Sequence, residues 1–219
     1  MSLHLQRDLD ALKKELLLLG NMVETAINNS ILSLNDRRPE LAEAVLAGEK
    51  LIDDKEVLIE EECLKILALH QPVALDLRFI VVVLKVNNDL ERMGDFAVNV
   101  AKRAIFLCNN APIPIPIEFT EKMSRCIRTM VHDSLDAMVK MDVELARNVI
   151  LRDEEVDEVN RLMFMEFRTL VESDTSTIER ALGLLSTSRY LERIADLATN
   201  IAEDVIFMVE GEVVRHQKN

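Results

Sequence analysis

Two rows of oxygen-bearing side chains carry the chemistry this chain could do. Glu91, Asp95 and Asn99 are spaced by four, and so are Glu192, Asp196 and Asn200. On a helix that spacing sets each trio along one side, one residue per turn. Carboxylate and amide oxygens in such a ladder suit hard cations or iron, and carboxylates can bridge two ions. Like charges one turn apart repel unless water, a cation or a basic side chain relieves them. One Glu-x-x-x-Asp alone is most simply a solvated helix face. Here both copies sit in the frame Leu-Glu-Arg-x-x-Asp-x-x-x-Asn, at 90–99 and 191–200, and the repetition argues for a shared task.

Ion pairing is the competing account. Arg92 and Arg193 each follow the glutamate, about 100° around the helix, where they could reach acids of a neighbouring helix. Gly94 and Ala195 precede the aspartates, and such small residues let another helix approach closely. Further acids recur upstream at the same spacing, Glu49 with Asp53 and Asp153 with Asp157, and could face the ladders from adjacent helices.

The elements that must position these residues are helical nearly throughout. Leu5, Leu9, Leu12, Leu16, Leu19, Val23, Ala26 and Ile27 recur at three- and four-residue steps, a single apolar stripe. Asn35-Asp36-Arg37-Arg38 ends this helix, and Pro39 suits the first position of the next, where a missing N–H costs nothing. The second helix is predicted over about 39–69, with Gly48 as a place for a bend. His70-Gln71-Pro72 breaks the pattern before a third helix to about Cys108. Pro112, Pro114 and Pro116 cannot lie inside a helix, so this mid-chain stretch should be an extended connection. Helices four to six are predicted over about 118–140, 143–171 and 177–210. Met141-Asp142 is the first joint, a Ser or Thr of 172–176 caps the last helix, and Gly211 stops it.

The two halves match in register. Residues 87–99 align with 188–200, and the match runs on to Ile105-Phe106 and Ile206-Phe207. The expected fold is therefore all-α: six long helices as two tandem, pseudo-two-fold related three-helix bundles. The units are residues 1–110 and 118–211, with a proline-rich connection at 111–117 and a tail at 212–219.

Composition narrows the function. The formal net charge of -13 disfavours nucleic-acid backbones and metal-free capture of phosphate. Cys63, Cys108 and Cys126 form neither a CxxC nor an even set, so no disulfide framework is expected. The N-terminus lacks the pattern of a secretory signal and no apolar run reaches the ~20 residues of a membrane span, so a soluble, cytoplasmic protein is expected. His4, His70, His132 and His216 supply no Glu-x-x-His or HExxH pair, and neither GxxxxGK nor Gly-x-Ser-x-Gly occurs. No enzyme is indicated. Met130, Met138, Met163 and Met165 have the spacing of core fillers more than of a soft binding surface.

The duplicated Leu-Glu-Arg-x-x-Asp-x-x-x-Asn resembles the paired acidic motif of PhoU proteins. His70-Gln71-Pro72 followed by Asp76-Leu77-Arg78, and the ending Gly211-Glu212-Val213-Val214-Arg215-His216, add to the likeness, which covers nearly the whole chain. The resemblance implies a homodimeric cytoplasmic regulator that represses phosphate uptake and the phosphate-starvation response. It would act between a phosphate ABC transporter and a sensor histidine kinase. It also implies metal, iron or else magnesium, manganese or zinc, at Glu91, Asp95, Asn99, Glu192, Asp196 and Asn200. The copies differ where Asn87-Asn88-Asp89 becomes Ser188-Arg189-Tyr190, which sets Arg189 beside the second ladder and makes unequal occupancy an expectation. A metal-storage or metal-dependent catalytic helical protein is the alternative.

Overall fold

The computed structural model describes residues 3–116 and 118–211. Six α-helices follow one another: α1 (Leu3–Asn35), α2 (Pro39–His70), α3 (Ala74–Cys108), α4 (Ser124–Lys140), α5 (Val143–Ser173) and α6 (Ile178–Glu210). No strand occurs among the described residues. All eight members of the predicted α1 stripe are buried.

Local chemistry sets the breaks. Pro39 opens α2, where its absent N–H leaves no gap in the helical ladder. Gln71 (φ 46°) and Met141 (φ 54°) take left-handed conformations that end α2 and α4. Asp142 then caps α5, its carboxylate accepting from the Leu145 N–H at 3.0 Å. Two expectations need correction. The fourth helix does not begin as α-helix at 118: Glu118–Met123 is a π-helical turn. The Phe119 and Thr120 N–H groups bond the Pro116 carbonyl at its start, and the wider π-helical coil then gives way to α4. Nor does a Ser or Thr side chain cap the last helix. Asp174 holds a short 3₁₀ turn, Thr175–Thr177, by accepting from the Ser176 N–H at 2.9 Å, and α6 follows it.

Helices α1, α2 and α3 pack on one another, as do α4, α5 and α6. The two groups meet along α3 and α6, with α1 against α4 beside them. Gly20 permits that second contact, since a Cβ there would lie 2.9 Å from Leu135. Buried side chains of both halves form one continuous core. Lys85 of α3 reaches the buried Asp204 of α6 at 3.0 Å and lies over the Phe207 ring. Phe96 stacks on Tyr190 across the same seam. The connection is tied to both halves: Arg37 donates to the Cys108 and Asn110 carbonyls, and Arg180 to that of Ala111. No described helix is long and apolar enough to cross a membrane.

Candidate functional site

The ladders stand on α3 and α6, the helices that meet at the centre. Leu90, Met93, Gly94, Ala97 and Val98 bury one face of α3, and Leu191, Ile194, Ala195, Ala198 and Ile201 that of α6. The acids sit at the margin of those faces. Glu91 and Asn99 are half-buried and Asp95 exposed; Glu192, Asn200 and Asp196 repeat this graded burial.

The neighbouring helix supplies more acid. Gly94 lets α2 come close, as its missing side chain predicts: a Cβ there would sit 3.2 Å from Ile52. The residue after Ile52 is Asp53, and Glu56 follows one turn later. Burial raises the Glu91 carboxyl above its ordinary range, and the charges of Asp95, Asp53 and Glu56 raise it further. Glu56 is itself raised, first by burial, then by Glu60 and Asp53. In the second half burial raises Glu192, with Asp196 and Asp157 adding to it and Arg189 and Arg193 opposing. The charges of Asp53 and Asp157 thus bear on Glu91 and Glu192 respectively. Glu49 and Asp153 stand one turn earlier on the same two helices, α2 and α5.

Among the described residues, neither Arg92 nor Arg193 forms an ion pair with an acid of a neighbouring helix. Arg92 approaches Asp89 of its own helix at 3.9 Å. Arg193 lies over the Phe96 ring, 5.8 Å from its centre. Ion pairing through these two side chains is therefore not what holds the ladders.

Two residues that bear on the site, Glu56 and Asn160, were passed over by the sequence reading, and each meets a residue of the aligned repeat. Asn87, one turn before Glu91, donates from Nδ2 to the Glu56 carbonyl at 2.9 Å and to Glu56 Oε1 at 3.4 Å. At the equivalent place in the second half, the Ser188 hydroxyl donates to Asn160 Oδ1 at 2.8 Å. The available signal was the three-residue step from Asp53 to Glu56, which matches that from Asp157 to Asn160.

The donor set is all oxygen: carboxylates, carboxamides and, around them, water-accessible surface. That chemistry fits a hard cation. The carboxylates lie close enough to repel one another, yet among the described residues no three His, Cys, Asp or Glu side chains already converge as a ligand set. Binding would draw them together and cancel the repulsion.

The duplicated architecture has known counterparts. A PhoU domain model matches twice, over residues 16–104 and 120–205. The chain belongs to the PhoU family. It is 40% identical over 211 residues to the phosphate-specific transport system accessory protein PhoU homolog of Aquifex aeolicus (strain VF5), covering 96% of this chain and 95% of that protein. It is 32% identical to the phosphate-specific transport system accessory protein PhoU of Escherichia coli (strain K12), covering 95% of this chain and 86% of that one. The crystal structure of PhoU from Pseudomonas aeruginosa matches with a TM-score of 0.91 at 37% identity, over 94% of this chain and 99% of that one. PhoU of Streptococcus pneumoniae, a phosphate transport system regulatory protein, matches with a TM-score of 0.88 at 27% identity, over 96% and 99%. Each PhoU stretch contains one complete ladder, the first at 91–99 and the second at 192–200.

Proposed function

We propose that the chain is a negative regulator of phosphate uptake and of the phosphate-starvation response. It works as a cytoplasmic, homodimeric adaptor between a phosphate ABC transporter and a sensor histidine kinase, with no catalytic step of its own. The observation that carries this reading is near-full-length membership of a family whose characterised relatives are accessory proteins of phosphate transport.

Two features of the surface support an adaptor. Large apolar side chains stay exposed on α2 (Leu51, Leu58, Leu64) and α5 (Leu151, Leu162, Phe164), where a partner could cover them. The ladders lie where α2 meets α3 and α5 meets α6, so a bound cation links helices that also present those side chains. Iron, magnesium, manganese or zinc at Glu91, Asp95 and Asn99, and at Glu192, Asp196 and Asn200, would neutralise local charge, set helix spacing and offset the acidity that otherwise repels phosphate.

The test is a host lacking its own copy, complemented with the wild type or with Asp95→Ala/Asp196→Ala. Metal content and repression of phosphate uptake are measured together. Loss of both supports the metal-dependent adaptor. Unchanged metal and unchanged repression in the double variant would remove the ladders from the mechanism, and failure of the wild type to repress would remove the regulatory role.

A further inference from the structure

A groove runs along the seam of α5 and α6. Two cavities make it, of about 470 and 410 Å³, and Leu185 lines both. The first lies beside the proline connection. Ile115, Phe167, Leu170 and Leu184 are among its walls, and Glu166 supplies a carboxylate. The second is walled by Phe164, Leu182 and two cations, Arg161 and Arg189. From Ser173 to Asn160, the α5 residues at the two extremes, the helix rises ~20 Å, the span of about six extended residues.

The second cavity runs against the character of the chain. Asp and Glu outnumber Lys and Arg 39 to 26, yet among the described residues no carboxylate lines this cavity. Arg189 acts on Glu192 through space and, among the described residues, closes no ion pair. Arg161 meets Glu154, seven residues back on the same helix, at 3.1 Å. Both of those side chains are largely exposed, so the contact is weak and an incoming carboxylate can replace it. In the same cavity Phe164 is 58% exposed and Leu182 48% exposed, apolar surface left open to water. The first half has Val57, Glu60 and Asn88 at the positions of Arg161, Phe164 and Arg189, so the repeat does not account for this arrangement.

We propose that this groove docks a short segment of a partner protein, apolar along one stretch and acidic at the other. Its apolar side chains lie against Phe167, Leu170 and Phe164, and its carboxylates on Arg161 and Arg189. The cations choose the occupant. A guanidinium takes a carboxylate through two parallel hydrogen bonds. On a chain of net charge -13 the two arginines accept an acidic segment that the rest of the surface repels. Glu166 selects a peptide over an acyl chain, since hydrocarbon has no donor to offer that carboxylate and a peptide backbone has its N–H groups. The assignment rests on the adaptor reading and gives the partner's segment a chemistry.

Fluorescence polarisation of a tagged peptide, Ser-Leu-Ile-Ser-Leu-Asp-Glu-Asp, with the full-length protein tests it, beside a twin carrying Lys-Lys-Lys in place of Asp-Glu-Asp. The wild type should bind the acidic peptide at least ~10-fold more tightly than the basic one. Arg161→Glu/Arg189→Glu should reverse that order, and Phe164→Ser should weaken the acidic peptide by ~10-fold or more. The preference should shrink from about 0.1 M to about 1 M salt. Circular dichroism verifies that each variant is folded. The same proteins are scored for repression of phosphate uptake in the host lacking its own copy, where the charge-swapped variant should repress less than the wild type. Equal binding of the two peptides, or an acidic preference kept by the charge-swapped variant, overturns the groove assignment, and repression by the wild type then leaves the adaptor reading standing. A wild type that fails to repress removes the adaptor reading itself. Sodium oleate that binds where the peptide does not, or a dimer that dissociates in Phe164→Ser, makes the occupant a lipid or a second copy and overturns the proposal.

Discussion

Ile52 of α2 lies so close to Gly94 of α3 that a Cβ at position 94 would stand 3.2 Å from both its Cδ1 and its Cγ2. That approach brings Asp53 and Glu56 to Glu91 and Asp95. The second half has Val156 and Ala195 at the equivalent positions, both fully buried. One methyl has moved from one side of the equivalent pair to the other, a volume-conserving exchange of the kind cores tolerate.

Gly94→Ala should cost stability, because the crowding of Ile52 opposes the gain in helix propensity, while Gly94→Val should lose about 1–3 kcal/mol by overpacking. Adding Ile52→Val to Gly94→Ala should restore most of the loss. Denaturant melts of the two single variants and the double variant measure the coupling, and strict additivity would refute it.

The pH dependence of Glu91 has a definite sign. Its folded pKa lies above the ordinary 4.5, through burial first and then Asp95, Asp53 and Glu56. A raised folded pKa favours the folded state fully below 4.5, and that contribution is lost as pH rises through the raised value. In metal-free protein Glu91→Gln should therefore be more stable than wild type at pH 7, by about 0.2–0.5 kcal/mol after solvent screening. The advantage should vanish below pH 4.5. Thermal melts from pH 3.5 to 8 follow it.

Removing divalent cations should lower the melting temperature. Occupancy at roughly 100 times Kd adds about 2.7 kcal/mol, or about 5–10 °C for a chain of this size. Scanning calorimetry with chelator, then with manganese restored, reads the shift. An identical midpoint in both conditions would count against bound metal.

Lys85→Ala should loosen the junction of the halves. Asp204 is 1% exposed and Lys85 meets it at 3.0 Å, while the Lys85 side chain keeps 41% exposure. The expected loss is about 1–3 kcal/mol, below that of a fully buried pair. Hydrogen exchange should show faster opening along α3 and α6, which a purely local effect would not give.

The helices were legible because apolar spacing on long amphipathic stretches leaves little freedom: every member of the α1 stripe is buried. The ladders were legible because they repeat by identity. Glu56 was not, because its counterpart is Asn160, and a search for matching letters passes over the place where the copies diverge. The direction of Arg193 was also hidden, since a flexible side chain chooses among partners that only the packed structure supplies, here the Phe96 ring. The π-helical turn at Glu118–Met123 follows from how the chain leaves Pro116, and no periodicity encodes it.

The seam between α3 and α6 bears on ancestry. A fused duplication descends from two identical subunits facing each other, where every contact would occur twice. Transposed onto two copies of the first half, the stacking of Phe96 on Tyr190 would set Phe96 against Asp89. The Lys85–Asp204 pair would set Lys85 against Arg103. Neither substitute is attractive. The halves have become lock and key rather than mirror copies, so fusion is no longer a convenience of expression. Two copies of the first half would therefore not reproduce the stacking and the ion pair that join α3 to α6.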